Sequence, residues 1–144
     1  MATMTDSQRD EFLHEARIAV LSTISAEGTP VSIPIWFEWD GKHVRVFTGI
    51  NSPKIRRIEA NPAASLLVAN PTGEPEAWVL IEGAISVQIE GGFALAERLA
   101  LRYWSLSDPA HIKAVDEWRD AADMLRVLDL SPTRIRSYLT DSAN

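Results

Sequence analysis

The stretch PVSIPIWFEWDGKHVRVFT, residues 30–48, decides the fold. Its first ten residues alternate. Val31, Ile33, Ile35, Phe37 and Trp39 fall on one side, and Ser32, Pro34, Trp36 and Glu38 on the other. A period of two marks a strand with one face against a core. Asp40 and Gly41 follow at once, a pair that suits a tight hairpin because both residues tolerate positive φ. Residues 43–48 then read as the returning strand. Upstream, residues 17–25 read as a strand ending in the turn Ala26, Glu27, Gly28 and Thr29, so three consecutive antiparallel strands are expected.

Working outward, residues 5–15 form a short helix capped by Thr5 or Asp6, with Phe12 and Ala16 on one face. Beyond the hairpin, residues 49–52 make a loop. Ser52 is an N-cap and Pro53 suits the first helical position, so a helix runs to residue 60 with Ile55 and Ile58 inward. Asn61 and Pro62 stop it. Residues 64–69 read as a strand, 70–75 as a loop, and 77–89 as a long strand. Gly83 within that strand marks a bulge or a close approach. Gly91 and Gly92 end it. Two helices follow, 93–104 and 109–121, the second capped by Ser107 or Asp108. Strands 124–130 and 133–139 close the chain, separated by Pro132. The pattern is mainly β within the α+β class: an antiparallel barrel with flanking helices, read as one domain over residues 1–144.

Composition narrows the function classes. Apolar residues make up 46% and charged residues 24%, as in ordinary globular proteins. The absence of cysteine removes disulfides, thiolate nucleophiles and zinc–cysteine sites. A net charge of −6 argues against nucleic acid as a partner. Apolar runs such as residues 78–81 are too short to cross a bilayer, and the opening MATMTDSQRDEF lacks the pattern of a secretory signal. A cytoplasmic protein without membrane partners is expected.

Charge is nevertheless uneven. Residues 42–57 contain Lys42, Arg45, Lys54, Arg56 and Arg57 and no acidic residue, which suits a small anionic ligand or, more plainly, a solvated face. Within it, TGINSPKIRR (48–57) joins a strand end, a small-residue loop and a capped helix start. Unpaired N–H groups at such a start favour a phosphate. Thr48 and Ser52 add hydroxyl donors, and Lys54 and Arg56 add charge. Exposed helix residues are the plain alternative. Trp36 shares a face with Ser32, Pro34 and Glu38 rather than with the apolar row, which makes it a pocket wall or an interface residue. The other tryptophans, Trp39, Trp78, Trp104 and Trp118, are expected as core or interface anchors. His14, His43 and His111 are too scattered for a metal set. Neither a Gly-x-Ser-x-Gly elbow nor a Gly-x-Gly-x-x-Gly or P-loop motif occurs.

An ordered succession of short motifs runs along the chain: AVLSTI (19–24), EGTP (27–30), PIWFEWDG (34–41), KIRRI (54–58), NP (61–62), EGA (82–84), then Pro132 with Arg134. Together they resemble the flavin- and deazaflavin-binding split-barrel proteins related to pyridoxamine-phosphate oxidase, over about residues 18–138. The resemblance implies a split β-barrel homodimer with cofactor sites at the subunit interface. It also implies an oxidoreductase that transfers hydride between a reduced deazaflavin (coenzyme F420) and a small organic acceptor. FMN is the alternative cofactor, and an FMN-dependent oxidase or reductase or a non-catalytic carrier are the alternative functions. The phosphate would lie near Thr48, Ser52, Lys54 and Arg56, with Arg57 alongside. The ring would rest along Ser32, Pro34, Ile35 and Trp36, and Trp78 would approach from the other subunit. Hydride chemistry needs positioning and water exclusion more than an acid or base, so no side chain is nominated as catalytic. The ending SPTRIRSYLT lacks the arginine-rich substrate segment of true pyridoxamine-phosphate oxidases, so pyridoxamine phosphate is not the implied substrate. Loop 70–76 and the helices after Gly91 are expected to select the acceptor.

Overall fold

The structure, a computed structural model, describes residues 2–140. In chain order the elements are α1 (Asp6–His14), β1 (Ala19–Ile24), β2 (Pro30–Ile35), β3 (Glu38–Trp39), β4 (Val44–Gly49), α2 (Pro53–Ala60), β5 (Ala63–Ala69), β6 (Ala77–Gln88), α3 (Gly92–Tyr103), α4 (Pro109–Asp120) and β7 (Leu125–Leu139). All strands pair antiparallel in one sheet of order β2-β1-β5-β6-β7-β4-β3.

That order dictates a barrel. The two edge strands, β2 and β3, are separated in sequence only by Trp36 and Phe37. Seven strands laid flat would put those edges about 29 Å apart, at about 4.8 Å per strand. The three Cα steps from Ile35 to Glu38 reach at most about 11 Å. The sheet must therefore curl until its edges nearly meet, leaving one seam. The expectation of an antiparallel split barrel with flanking helices holds.

Two details of the strand reading are corrected. The single strand expected over residues 30–39 is broken at Trp36 and Phe37, where the chain steps across the seam. Only Glu38 and Trp39 pair with β4, while residues 30–35 pair with β1, so the three-strand meander is really two separate pairs. The alternation survived because both halves obey it: Phe37 and Trp39 are buried and Trp36 faces the opposite way. The two strands expected at the end are one strand of 15 residues. Pro132 does not interrupt it, because the register slips between Glu82 and Gly83 of β6 and the extra residue is absorbed in a bulge. Gly83 is required there: a Cβ would lie 2.0 Å from the Ser131 carbonyl oxygen.

Side chains pack into two cores. The first fills the barrel, with Leu21, Val46, Leu66, Val79, Ile81 and Leu128 from the strands and Ile55 and Ile58 from α2, which plugs one end. Its helix begins as expected, with Ser52 Oγ accepting from the Lys54 N–H at 3.3 Å. The second core lies outside the wall, where Leu95 and Leu99 of α3 cover Val127, with Trp36, Phe47 and Tyr103 packed against them. α3 comes that close because its first residue, Gly92, has no Cβ to meet Leu125, which would be 2.7 Å away. Helix α1 starts with a reciprocal capping box between Thr5 and Gln8. Consecutive residues at the seam thus serve different cores: Phe37 inside the barrel, Trp36 outside.

Candidate functional site

A cleft of about 360 Å³ opens at the seam. One bank is the free edge of the sheet, Ile33, Pro34 and Ile35 of β2, and the other is aromatic, built by Trp36, Phe47, Trp104 and Trp118, with Lys54 completing the lining. Two prolines are tolerated in β2 because it is an edge strand. The lining is almost wholly apolar with one cation, the composition expected of a site that seats a flat organic group with one anionic end.

Each aromatic wall has a rigid backing. Trp36 stacks on Tyr103 at 5.0 Å between ring centroids and 4° between planes. The Tyr103 hydroxyl donates to the Arg17 carbonyl at 2.7 Å and accepts the Phe37 N–H at 3.4 Å, which ties the seam crossing to α3. Next to it, Arg102 reaches the carbonyls of Leu13, His14 and Glu15 and satisfies the end of α1. Trp104 meets Trp36 edge-on at 4.7 Å and is stacked on His111 at 4.3 Å. Trp118 lies near-parallel to Trp104 at 5.5 Å and edge-on to Phe47 at 5.2 Å. α4, which carries Trp118, starts at Asp108, whose side chain accepts from the Ala110 N–H at 2.9 Å.

Lys54 is the one charged group of the lining. Burial, and then the Arg57 guanidinium, push its ammonium below the usual lysine range, and no carboxylate offsets them. A half-buried cation without an anion is what an anionic ligand would complete.

The sequence-derived candidates divide. Pro34, Ile35, Trp36 and Lys54 come together in the cleft. Ser32 sits on the outer face of the sheet, its hydroxyl 2.7 Å from that of Ser22. Ser52 spends its oxygen on the helix cap. Thr48 is buried on the face of Val44 and Val46, while its neighbour Phe47 faces the cleft. Arg57 Nε donates to the buried Thr23 hydroxyl at 2.8 Å, and Arg56 is exposed on α2. Trp78 lies on the outer face of the sheet, stacked on Tyr138 at 6.2 Å, outside this cleft. The cationic run is also split: Arg45 is held by Asp40 at 2.7 Å and by the buried Asp129 at 3.1 Å, and His43 Nδ1 donates to Asp129 at 2.7 Å. Trp104 and Trp118, expected as core or interface anchors, instead wall the cleft. Sequence reasoning missed that role, and missed Phe47 and Tyr103, because only the folded chain brings α3 and α4 beside residue 36. The unusual tryptophan count was the one available signal.

A larger recess of about 450 Å³ lies at Glu15, Arg17, Ala69 and Glu74. Its cation is already engaged: Arg17 donates to Asn70, to the Phe12 carbonyl and to Glu15. With Arg17 so occupied beside two carboxylates, it is a poorer match for an anion. No helix among the described residues is long and apolar enough to cross a membrane.

Comparison with known proteins agrees with the fold. No curated protein matches the chain. Among solved structures, an F420 reductase superposes with a TM-score of 0.70 at 24% identity, covering 88% of this chain and 94% of that one. A conserved hypothetical protein from Mycobacterium tuberculosis gives 0.71 at 19% identity, with 98% and 92% covered. An FAD-binding protein from Mesorhizobium loti gives 0.64 at 16% identity, with 94% and 93% covered. At these identities the likeness is one of fold. The family model for pyridoxamine 5'-phosphate oxidase matches residues 5–138, nearly the whole chain. With a split barrel, a seam cleft and that match in agreement, the chain belongs to the pyridoxamine 5'-phosphate oxidase family.

Proposed function

We propose that this protein is an oxidoreductase that holds a flavin-type cofactor along the β2 edge and transfers hydride between it and a small organic acceptor. The deazaflavin F420 is the preferred cofactor and FMN the alternative. The observation that carries the reading is Lys54, a half-buried cation with no carboxylate to offset it at an otherwise apolar, aromatic cleft. A phosphate-bearing cofactor with a planar ring matches both parts of that lining. When bound in its reduced form, the cofactor supplies a hydride to an acceptor carbon, and solvent supplies the proton.

The protein's own contribution is binding and orientation. Lys54 attracts the phosphate, and the β2 edge offers backbone groups to the polar rim of the ring. The indole wall excludes water, which strengthens every polar contact made inside. Lys54 is the one ionisable side chain in the lining, which suits hydride transfer without general acid catalysis. Preference for F420 rests on Arg56, exposed on the same helix and available to an acidic tail, and on the likeness to the F420 reductase fold.

A second copy of the chain completes this reading. Val20 lies opposite Pro34 on one side and Leu67 on the other, and Leu67 lies opposite Leu80, so an apolar row crosses four strands on the outer face. Ile18, Val20 and Leu67 are 53%, 37% and 39% exposed in the single chain. A homodimer would cover that row and bring Trp78 of one copy toward the cleft of the other. Titration of Lys54→Ala with F420 and FMN tests the site. Affinity reduced about tenfold or more, with unchanged thermal unfolding, is expected from loss of one charge-assisted contact. Unchanged affinity would move the phosphate elsewhere.

A further inference from the structure

Within the proposed function, on which this step rests, the cleft has a second part. We infer that Trp104 and Trp118 form a subsite that selects an uncharged, flat, conjugated acceptor over a saturated one. Trp118 is the specificity-determining residue of the pair.

Three observations lead there. First, the two indoles are near-parallel, at 16°, and stand at 90° and 79° to Trp36, so together they make the corner of a box rather than a continuous stack. All three remain only half-buried in a concave cleft, leaving apolar area that an occupant would cover. Second, the walls are held before any ligand arrives, by Tyr103 behind Trp36, His111 behind Trp104 and Phe47 beside Trp118. A rigid wall loses little entropy on binding and discriminates by shape. Third, charge is segregated. The lining's one cation, Lys54, belongs to α2, whereas the C-terminal cap of α3 (Trp104) and α4 (Trp118) contribute only indoles. Nothing in that half of the lining would offset the desolvation of a charged acceptor. Flat rings gain from offset or edge contacts with indoles beyond the area they bury, and saturated rings do not.

α4 is the right carrier for such a residue. Its one buried residue is Val115, its main packing partner is α3, and Trp118 touches the barrel only on its outer face, at Phe47. Trp118 can therefore be changed without opening the main core.

The test uses benzylideneacetone, a flat conjugated ketone, and its saturated cyclohexyl counterpart. Dissociation constants are measured by calorimetry on the full chain and on two variants. The parent is expected to bind the conjugated ketone at least about fivefold more tightly than the saturated one. Trp118→Leu keeps apolar bulk and is expected to abolish that preference, whereas Trp118→Phe should retain most of it. Equal binding of the two ketones by the parent, or an undiminished preference in Trp118→Leu, would overturn the subsite. The cofactor titration of the parent is read separately. Preference for the flat ketone with no binding of F420 or FMN would support the subsite and sink the redox reading. Cofactor binding with no such preference would overturn the subsite and leave the redox reading intact.

Discussion

Asp40 shows how one side chain can set a turn. Burial pushes its carboxyl up, but the N–H groups of His43 and Lys42 and then the Arg45 guanidinium outweigh it and hold the pKa at about 2. Their contacts are short, 2.7 Å from His43, 2.8 Å from Lys42 and 2.7 Å from Arg45. A carboxyl depressed on folding stabilises the protein above its unfolded value near 3.8 and loses that contribution as pH falls toward 2. Its side chain is 36% exposed, so solvent screening reduces the effect to about 1 kcal/mol. Urea unfolding of Asp40→Asn should show that deficit at pH 7 and near-parity with the parent close to pH 2. A deficit independent of pH would mean the charge is not the cause. Lys54 works with the opposite sign. Its ammonium is pushed down by burial and by Arg57, and a bound phosphate would favour the charged form. Cofactor affinity should therefore fall as pH rises through a range below the ordinary lysine value, and the fall should be missing in Lys54→Ala. Parallel pH profiles for the two proteins would remove Lys54 from the site.

Among the elements, β6 and β7 show what a sequence reveals and what it conceals. Gly83 could be singled out from a strand of otherwise apolar alternation, and the bulge is there. That Pro132 sits inside a continuous strand was not legible, because the bulge that accommodates it, with Thr133 left over opposite Glu82 and Gly83, exists only once β7 is paired with β6. Gly83→Ala should destabilise by about 3 kcal/mol, since its Cβ meets backbone rather than a mobile side chain. A loss below about 1 kcal/mol in equilibrium unfolding would show that the bulge yields. The same limit applied at the seam. Alternation placed Phe37 and Trp36 on opposite faces correctly, yet a period of two carries no information about which neighbour each half of the stretch pairs with. Helix caps at Thr5, Ser52 and Asp108 were legible because they are local. The aromatic wall was not, since Tyr103 reaches Phe37 across 66 positions and Trp118 reaches Trp36 across more. Tyr103→Phe keeps the stack and removes the hydroxyl bridge. It should cost about 1 kcal/mol and blue-shift nothing in the barrel core, while broadening the ring signals of Trp36 in NMR.

At the scale of the molecule, seven strands curl because a two-residue step joins their edges, and the cleft is the consequence of that closure. The sheet's outer face carries the exposed row of Ile18, Val20 and Leu67, and a charge there should prevent self-association. Leu67→Asp is expected to be a folded monomer by sedimentation and to bind cofactor more weakly, because the partner's Trp78 would be missing. A parent that sediments as a monomer would remove the partner from the site. The proposed redox function depends on a bound cofactor. Fluorescence-quench titration of the parent protein with F420 and, separately, with FMN tests it most directly. Saturable binding, tighter for F420 than for FMN and quenching the cleft tryptophans, is the predicted result. Binding of neither would contradict the redox function.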